Sequence, residues 1–125
     1  METLVKALQI VIALGIMNVW LLRFGRQTGW RGGNAANMKE EFAYYGLPPW
    51  SVGVVGFLKL AGALALVVGV WYHPLTQPAA IGIAVLMLGA IAMHIKVKDP
   101  AKKSLPAFTM LVLSLVVAFG PMLLG

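Results

Sequence analysis

WSVGVVGFLKLAGALALVVGVWY, residues 50–72, is an apolar stretch that contains a single charged residue, Lys59. A helix rises 1.5 Å per residue, so about 20 apolar residues cross the roughly 30 Å hydrocarbon core of a bilayer. Comparable stretches occupy residues 4–24, 75–95 and 105–124. The sequence therefore predicts an all-α membrane protein with one transmembrane domain over residues 1–125, built as an antiparallel bundle of four transmembrane helices.

The composition of the whole chain supports this class. Its 125 residues are 60% hydrophobic and only 11% charged, whereas soluble proteins carry about 25% charged residues. Four membrane spans leave no room for a large catalytic domain. The chain has no cysteine, which excludes disulfide relays, iron–sulfur clusters and thiolate metal sites.

Basic residues are concentrated on one side of the predicted bundle. The opposite side holds Lys6 near the N-terminus. Positive residues favour the cytoplasmic side, so we expect the first and third connections in the cytoplasm and both termini outside it. This distribution points to anionic lipid headgroups, rather than nucleic acid, as the partner of the basic residues. Those in or beside the two connections are Arg23, Arg26, Arg31, Lys39, Lys96, Lys98, Lys102 and Lys103.

The first connection, residues 25–49, is long for a helical bundle and is expected to contain structure of its own. Asn37 precedes Glu40 by three residues, the spacing of an N-cap with an acidic partner in the first turn. Gly46 supplies a stop signal. We predict a short interfacial helix over residues 37–45, between the first and second spans.

Lys59 is the charge that membrane topology does not explain. It lies nine residues past Trp50, about 13 Å into the span, where a lysine costs about 2.5–3.5 kcal/mol and usually faces the bundle interior or a water-filled cavity. Asn18 and Ser114 are expected at about 9 and 13 Å from the same side. The alternative is a structural lysine that snorkels or hydrogen-bonds to neighbouring helices.

The functional interpretation is a polar pocket that opens toward the cytoplasm. In it, Lys59 would bind an anionic or carbonyl group. The pocket residues would be Lys59, Asn18, Ser114 and Trp50, and the residues at its cytoplasmic mouth would be His94, Arg23 and Glu41. His73 lies at the opposite membrane face from His94, so the two histidines cannot share a metal, and we predict no metal site.

Several segments in a fixed order resemble one protein family. Residues 45–50, YGLPPW, lead into residues 56–66, GFLKLAGALAL. Residues 93–100, MHIKVKDP, and residues 105–107, LPA, follow in the third and fourth spans. Together they resemble the DoxX and DoxX-like family of small four-span bacterial membrane proteins.

The resemblance implies a four-helix bundle in the bacterial inner membrane. In that membrane, the distribution of basic residues described above predicts that both termini are periplasmic. Some relatives are subunits of quinone-linked sulfur oxidation, and others accompany redox or stress systems. This chain has no cysteine, so thiol chemistry does not carry over to it. It also has Lys59 near a position where some members have an acidic residue, which argues against an acid-dependent role.

Three functions are compatible with these features. The first is a non-catalytic accessory or scaffold subunit that packs against a larger membrane complex or against itself, through small residues such as Gly82 and Gly89. The second is a quinone- or lipid-binding, redox-associated module with its pocket around Lys59. The third is a small-solute transporter. No catalytic pair or cofactor motif is evident, so we expect no enzymatic activity; a quinone is the cofactor class that the pocket would accept.

Overall fold

The computed structural model describes residues 2–25, 31–33 and 35–124, and every regular element in this part of the chain is helical. Helix α1 continues into a π-helical turn, and two short 3-10 turns precede the last two helices. The helices are α1 Glu2–Met17, α2 Met38–Tyr44, α3 Trp50–Val68, α4 Thr76–Lys96 and α5 Leu105–Leu124; the π-helical turn is Asn18–Leu22, and the 3-10 turns are His73–Leu75 and Ala101–Ser104.

The four long helices form a closed ring. Helix α1 packs against α3 and α5, and α4 packs against the same two helices from the other side. We call the end of the bundle that holds residues 23–49 and 97–104 the loop end. The end that holds residues 69–75 is the hairpin end. The predicted antiparallel four-helix bundle, with a short helix between the first two spans, is confirmed.

The surface of the bundle is apolar, as a bilayer requires. Each of the four helical segments is long and apolar enough to cross a membrane. Leu14, Phe57 and Leu88 are more than half exposed on the outside, while Ile12 and Leu66 are fully buried inside. Since apolar side chains cover both the core and the outer surface, the chain is a multi-pass membrane protein.

Helix α2 begins at the predicted cap. The Asn37 side chain accepts a hydrogen bond from the Glu40 amide at 2.9 Å, and its Nδ2 donates to Glu40 Oε2 at 3.0 Å. The helix ends at Tyr44, and Gly46 follows with a φ of +81° that suits glycine. Phe42 lies edge-on to Trp20, with the ring centroids 6.0 Å apart. This contact packs α2 against the loop end of the bundle. The rest of the predicted connection, residues 26–30 and 34, lies outside the described residues.

Three helices are joined at the hairpin end by buried polar groups. Gln9 Nε2 on α1 donates to the Leu66 carbonyl of α3 at 2.8 Å and to Thr76 Oγ1 of α4 at 3.3 Å. Thr76 Oγ1 donates to the Gly69 carbonyl at 3.1 Å. A Cβ atom on Gly69 would lie 2.6 Å from Thr76 Oγ1, so the close approach requires glycine. We call Gln9, Leu66, Gly69 and Thr76 the hairpin-end cluster.

Candidate functional site

A cavity of about 850 Å³ opens between the four long helices in the loop-end half of the bundle. Along α4 its lining extends from His94 to Val85, nine residues or about 13 Å. Polar side chains line the part near the loop end, and Ile16, Met87 and Met110 line the deeper part. The volume lies within the range of about 300–1,000 Å³ typical of small-molecule sites. The cavity therefore suits a molecule with a polar and an apolar part.

Lys59 is the charged residue of the cavity that is set farthest along its helix from the loop end. Its side chain is half-buried, and its Nζ lies over the ring of Trp20, 5.5 Å from the centroid. No residue that the structure describes forms a hydrogen bond or an ion pair with the ammonium group. A cation–π contact stabilises an ammonium by about 0.5–2 kcal/mol. That contact compensates only part of the cost of placing a charge in an apolar environment.

The π-helical turn that ends the first span forms one wall of the cavity. It places Asn18, Trp20 and the following Arg23 along the lining. Asn18 Oδ1 accepts a hydrogen bond from Arg23 Nε at 3.3 Å. An added residue in a helical turn shifts the phase of the residues that follow, and such turns are frequent at functional sites. Here the turn coincides with the contact between Trp20 and Lys59.

Glu41 is held by three donors at the mouth of the cavity. Arg31 Nη1 donates to Oε1 at 3.1 Å, while the Gly32 amide and the Tyr45 hydroxyl donate to Oε2 at 2.9 and 2.6 Å. The Arg31 and Glu41 side chains are only 4% and 11% exposed. Arg31 also donates to the carbonyls of Arg23 and Phe24, which follow the end of the first span. The ion pair therefore fixes the first connection onto the bundle.

Tyr45 links Glu41 to His94. Its hydroxyl oxygen lies 3.5 Å from His94 Nε2, and its ring meets the imidazole edge-on. Burial, and after it the hydrogen bond to Glu41, raises the pKa of the Tyr45 phenol well above its ordinary value of 10.0. The phenol therefore keeps its proton at neutral pH and donates it to Glu41.

Asp99 joins the first and third connections at the loop end. Its Oδ2 lies 2.7 Å from His94 Nδ1, and its Oδ1 accepts from the Gly33 amide at 3.1 Å. Burial by itself raises the pKa of this carboxyl, but the hydrogen bonds from His94 and Gly33 outweigh burial and lower the pKa below 3.8. The carboxylate is therefore ionised and accepts the His94 Nδ1 proton. Lys103 Nζ donates to the Gly33 carbonyl and completes this contact.

Most of the predicted site residues meet in one place. Lys59 and Asn18 line the cavity, and the three predicted mouth residues, His94, Arg23 and Glu41, line it as well. His94 is buried within the mouth, only 5% exposed.

Trp50 does not line the cavity, which corrects one predicted site residue. Its side chain is 69% exposed at the start of α3. Residues nine apart on a helix are about half a turn out of phase, so Trp50 and Lys59 lie on opposite faces of α3. Trp20 is the tryptophan that contacts Lys59.

Ser114 does not line the cavity either, so the predicted cluster of Lys59, Asn18 and Ser114 does not form. Ser114 lies on α5 four residues beyond Met110, the last α5 residue of the lining. The Met110 side chain fills the space beside Gly15 and so forms the floor of the cavity. Ser114 lies below that floor, fully buried, and its hydroxyl has no hydrogen-bond partner among the described residues.

The sequence interpretation missed Trp20, Tyr45 and Asp99 as parts of the site. One signal could have indicated Asp99: the chain has only four acidic residues, and buried carboxylates are paired. No comparable signal identifies Trp20, because its position depends on the π-helical turn. The described residues contain no group of His, Asp and Glu that could hold a metal ion.

Comparison with known proteins identifies the class of this bundle. Residues 21–119, well over half of the chain, match the DoxX-like family. The chain belongs to the DoxX-like family. It is also similar to a Bacillus subtilis (strain 168) protein named "Uncharacterized protein YdgD", with 32% identity over 82 residues that cover 65% of this chain and 72% of that protein. No solved structure matches the chain significantly.

Proposed function

We propose that this membrane protein binds an amphiphilic, quinone- or lipid-like molecule in the cavity around Lys59. The observation that carries the proposal is an ammonium group without a hydrogen-bond or ion-pair partner among the described residues, facing a cavity that is polar at the loop end and apolar below. A bound polar head would supply the missing partner. The cavity ends where Met110 packs on Gly15, which favours binding over transport of a solute through the bundle.

Replacement of Lys59 separates a functional lysine from a structural one. A lysine that serves binding is a cost to the fold, so Lys59→Leu should leave the protein folded, with equal or higher stability, and should abolish ligand binding. Lys39→Leu is the matched control, because Lys39 is exposed on α2 and lies outside the cavity lining.

The proposal is tested by ligand titration of the purified protein in a neutral detergent. We would measure binding of a short-chain ubiquinone analogue and of a long-chain lipid to the unaltered protein by calorimetry, and then to both variants. Binding that is lost in Lys59→Leu and retained in Lys39→Leu supports the proposal. A Lys59→Leu protein that no longer folds would indicate a structural lysine instead.

A second candidate, an accessory or scaffold role, is favoured by the outer face of α4. Gly82 and Gly89 are exposed one heptad apart, although Gly89 also lines the cavity. Among the described residues, no atom outside their own stretch of helix lies within 4 Å of where a Cβ would be. Small residues at this spacing permit close helix approach by another membrane subunit or a second copy. Native mass spectrometry tests this role: Gly82→Leu should dissociate an assembly that Gly53→Leu, with equally open space on α3, leaves intact.

We also propose that the protein lies in the bacterial inner membrane with its loop end in the cytoplasm and both termini periplasmic. The basic residues around the connections at the loop end support this orientation. Because the chain has no cysteine, single cysteines report topology directly. An impermeant thiol reagent applied to intact cells should label His73→Cys at the hairpin end and leave Ala36→Cys at the loop end unlabelled. The reverse pattern would refute the orientation.

A further inference from the structure

We infer that the ligand has an oxyanion head, a carboxylate or a phosphate on a hydrocarbon chain, and that Lys59 binds this head. The inference rests on the proposed function and selects among its ligands: long-chain acids or acidic phospholipids rather than neutral quinones. It follows from the charges that line the cavity, from the engagement of the nearby carboxylates, and from the order of polar and apolar residues along the cavity.

Positive charge predominates in the lining. Arg23, Arg31, Lys59 and Lys103 line the cavity, and Glu41 is the single carboxylate among the described lining residues. A cation and an anion that are both removed from water stabilise each other, whereas a neutral head would leave Lys59 uncompensated. The lining thus presents an excess of positive charge to whatever the cavity binds.

The carboxylates at the mouth are already engaged by other groups. Both oxygens of Glu41 accept hydrogen bonds, from Arg31 on one side and from Gly32 and Tyr45 on the other. Asp99 is held by His94 and Gly33. Neither carboxylate forms an ion pair with Lys59 or with Arg23, whose Nε contacts the neutral Asn18 side chain. An anion in direct contact with Lys59 would therefore come from the ligand, and charge-assisted hydrogen bonds would hold it.

The order of residues along the cavity orients the ligand. The cations Arg23, Arg31 and Lys103 lie at the loop end, and Lys59 extends the positive charge to the level of Trp20. Below them the lining is apolar, with Ile16, Met87 and Met110 among its residues. Methionine side chains adapt to flexible apolar partners. The acidic head would therefore lie at the level of Trp20, and the hydrocarbon chain would extend toward the floor.

The test compares two ligands with one chain and different heads. Oleate and oleyl alcohol have the same hydrocarbon chain, but oleate is anionic and the alcohol is neutral. In a neutral detergent at pH 8, we expect oleate to bind at least tenfold more tightly to the unaltered protein. Lys59→Leu should lose oleate binding, Lys59→Arg should retain the preference for oleate, and Lys39→Leu should leave the preference unchanged. If Lys59→Leu does not fold, the comparison of oleate with oleyl alcohol in the unaltered protein still tests whether the ligand has an oxyanion head.

Further titrations identify the source of the oxyanion and separate the two proposals. Dioleoylphosphatidate that competes with oleate supports an acidic phospholipid as the ligand, whereas oleate binding without competition supports a free long-chain acid. Equal affinity for oleate, oleyl alcohol and the ubiquinone analogue would overturn the oxyanion inference and leave the proposed function intact. Absence of binding for all of these probes would overturn both.

Discussion

The two ends of the bundle treat buried polar groups in opposite ways. At the hairpin end, the Gln9 amide and the Thr76 hydroxyl are almost fully buried, and each forms hydrogen bonds to a neighbouring helix. At the loop end, a cavity remains open and the Lys59 ammonium has an aromatic ring as its nearest described partner. These polar groups at the hairpin end are therefore hydrogen-bonded within the protein. The Lys59 ammonium, by contrast, lacks such partners among the described residues because it lies beside the cavity.

The loop end is also well held around its open centre. Glu41 and Asp99 each accept several hydrogen bonds and attach the first connection to the bundle. Lys96 Nζ adds a bond to the Tyr45 carbonyl at 2.8 Å. The polar groups at the mouth thus form a hydrogen-bonded frame around the cavity. Four changes test this difference between the ends.

The largest effect is expected at the frame. Glu41→Ala removes the anionic partner of the buried Arg31 and the acceptor of Tyr45 and Gly32. Breaking one partner of a buried ion pair costs about 3–5 kcal/mol, so the free energy of unfolding should fall by that amount. Unfolding in mixed micelles, followed by circular dichroism, measures it. The control is Glu40→Ala, which removes an exposed acidic residue from the first turn of α2, a contribution of about 0.3–1 kcal/mol. Equal losses in the two variants would contradict the frame.

The second effect is expected at the hairpin end. Gly69→Ala places a Cβ 2.6 Å from Thr76 Oγ1 and 3.2 Å from Gln9 Nε2. Overpacking of this kind costs about 1–3 kcal/mol, so the variant should be less stable while its ligand affinity is unchanged. Thermal unfolding and the oleate titration measure the two quantities. Gly53→Ala, where a Cβ meets open space, should not lose stability. A loss of affinity in Gly69→Ala would show that the two ends are coupled.

A smaller effect is expected from pH. The pKa of Asp99 is lower in the folded protein than its ordinary value of 3.8, so the unfolded chain binds this proton first as the pH falls. The contribution of Asp99 is therefore present above pH 3.8 and is lost as the pH drops through the folded pKa. Denaturation curves at a series of pH values should show the loss, and Asp99→Asn should flatten this part of the profile. An identical profile in the variant would contradict the assignment.

The smallest effect is expected at Ser114. Its hydroxyl is buried without a partner among the described residues, so Ser114→Ala should raise stability slightly, by less than about 1 kcal/mol. Ligand affinity should not change, because Met110 separates Ser114 from the cavity. Thermal unfolding and the oleate titration check both statements. Reduced oleate affinity in this variant would show that Ser114 belongs to the binding site.

Much of the candidate site was accessible from depth arithmetic alone. Helix rise converts sequence distance into depth, and this places Lys59 and Asn18 at similar depths from the loop end. Depth does not give direction around a helix. Trp50 was therefore placed in the pocket although it lies on the opposite face of α3, and Ser114 although Met110 closes the cavity above it.

The sequence by itself determined those properties that depend on residues close to one another along the chain. The four spans follow from local runs of apolar residues, and the start of α2 from the spacing of Asn37 and Glu40. Tertiary structure alone decided which groups meet. Asp99 binds the Gly33 amide 66 residues away, and the π-helical turn sets the face on which Trp20 meets Lys59. Such contacts depend on the relative rotation and packing of separate helices, which no local pattern encodes, and they are what turns one lysine in an apolar span into a candidate binding site.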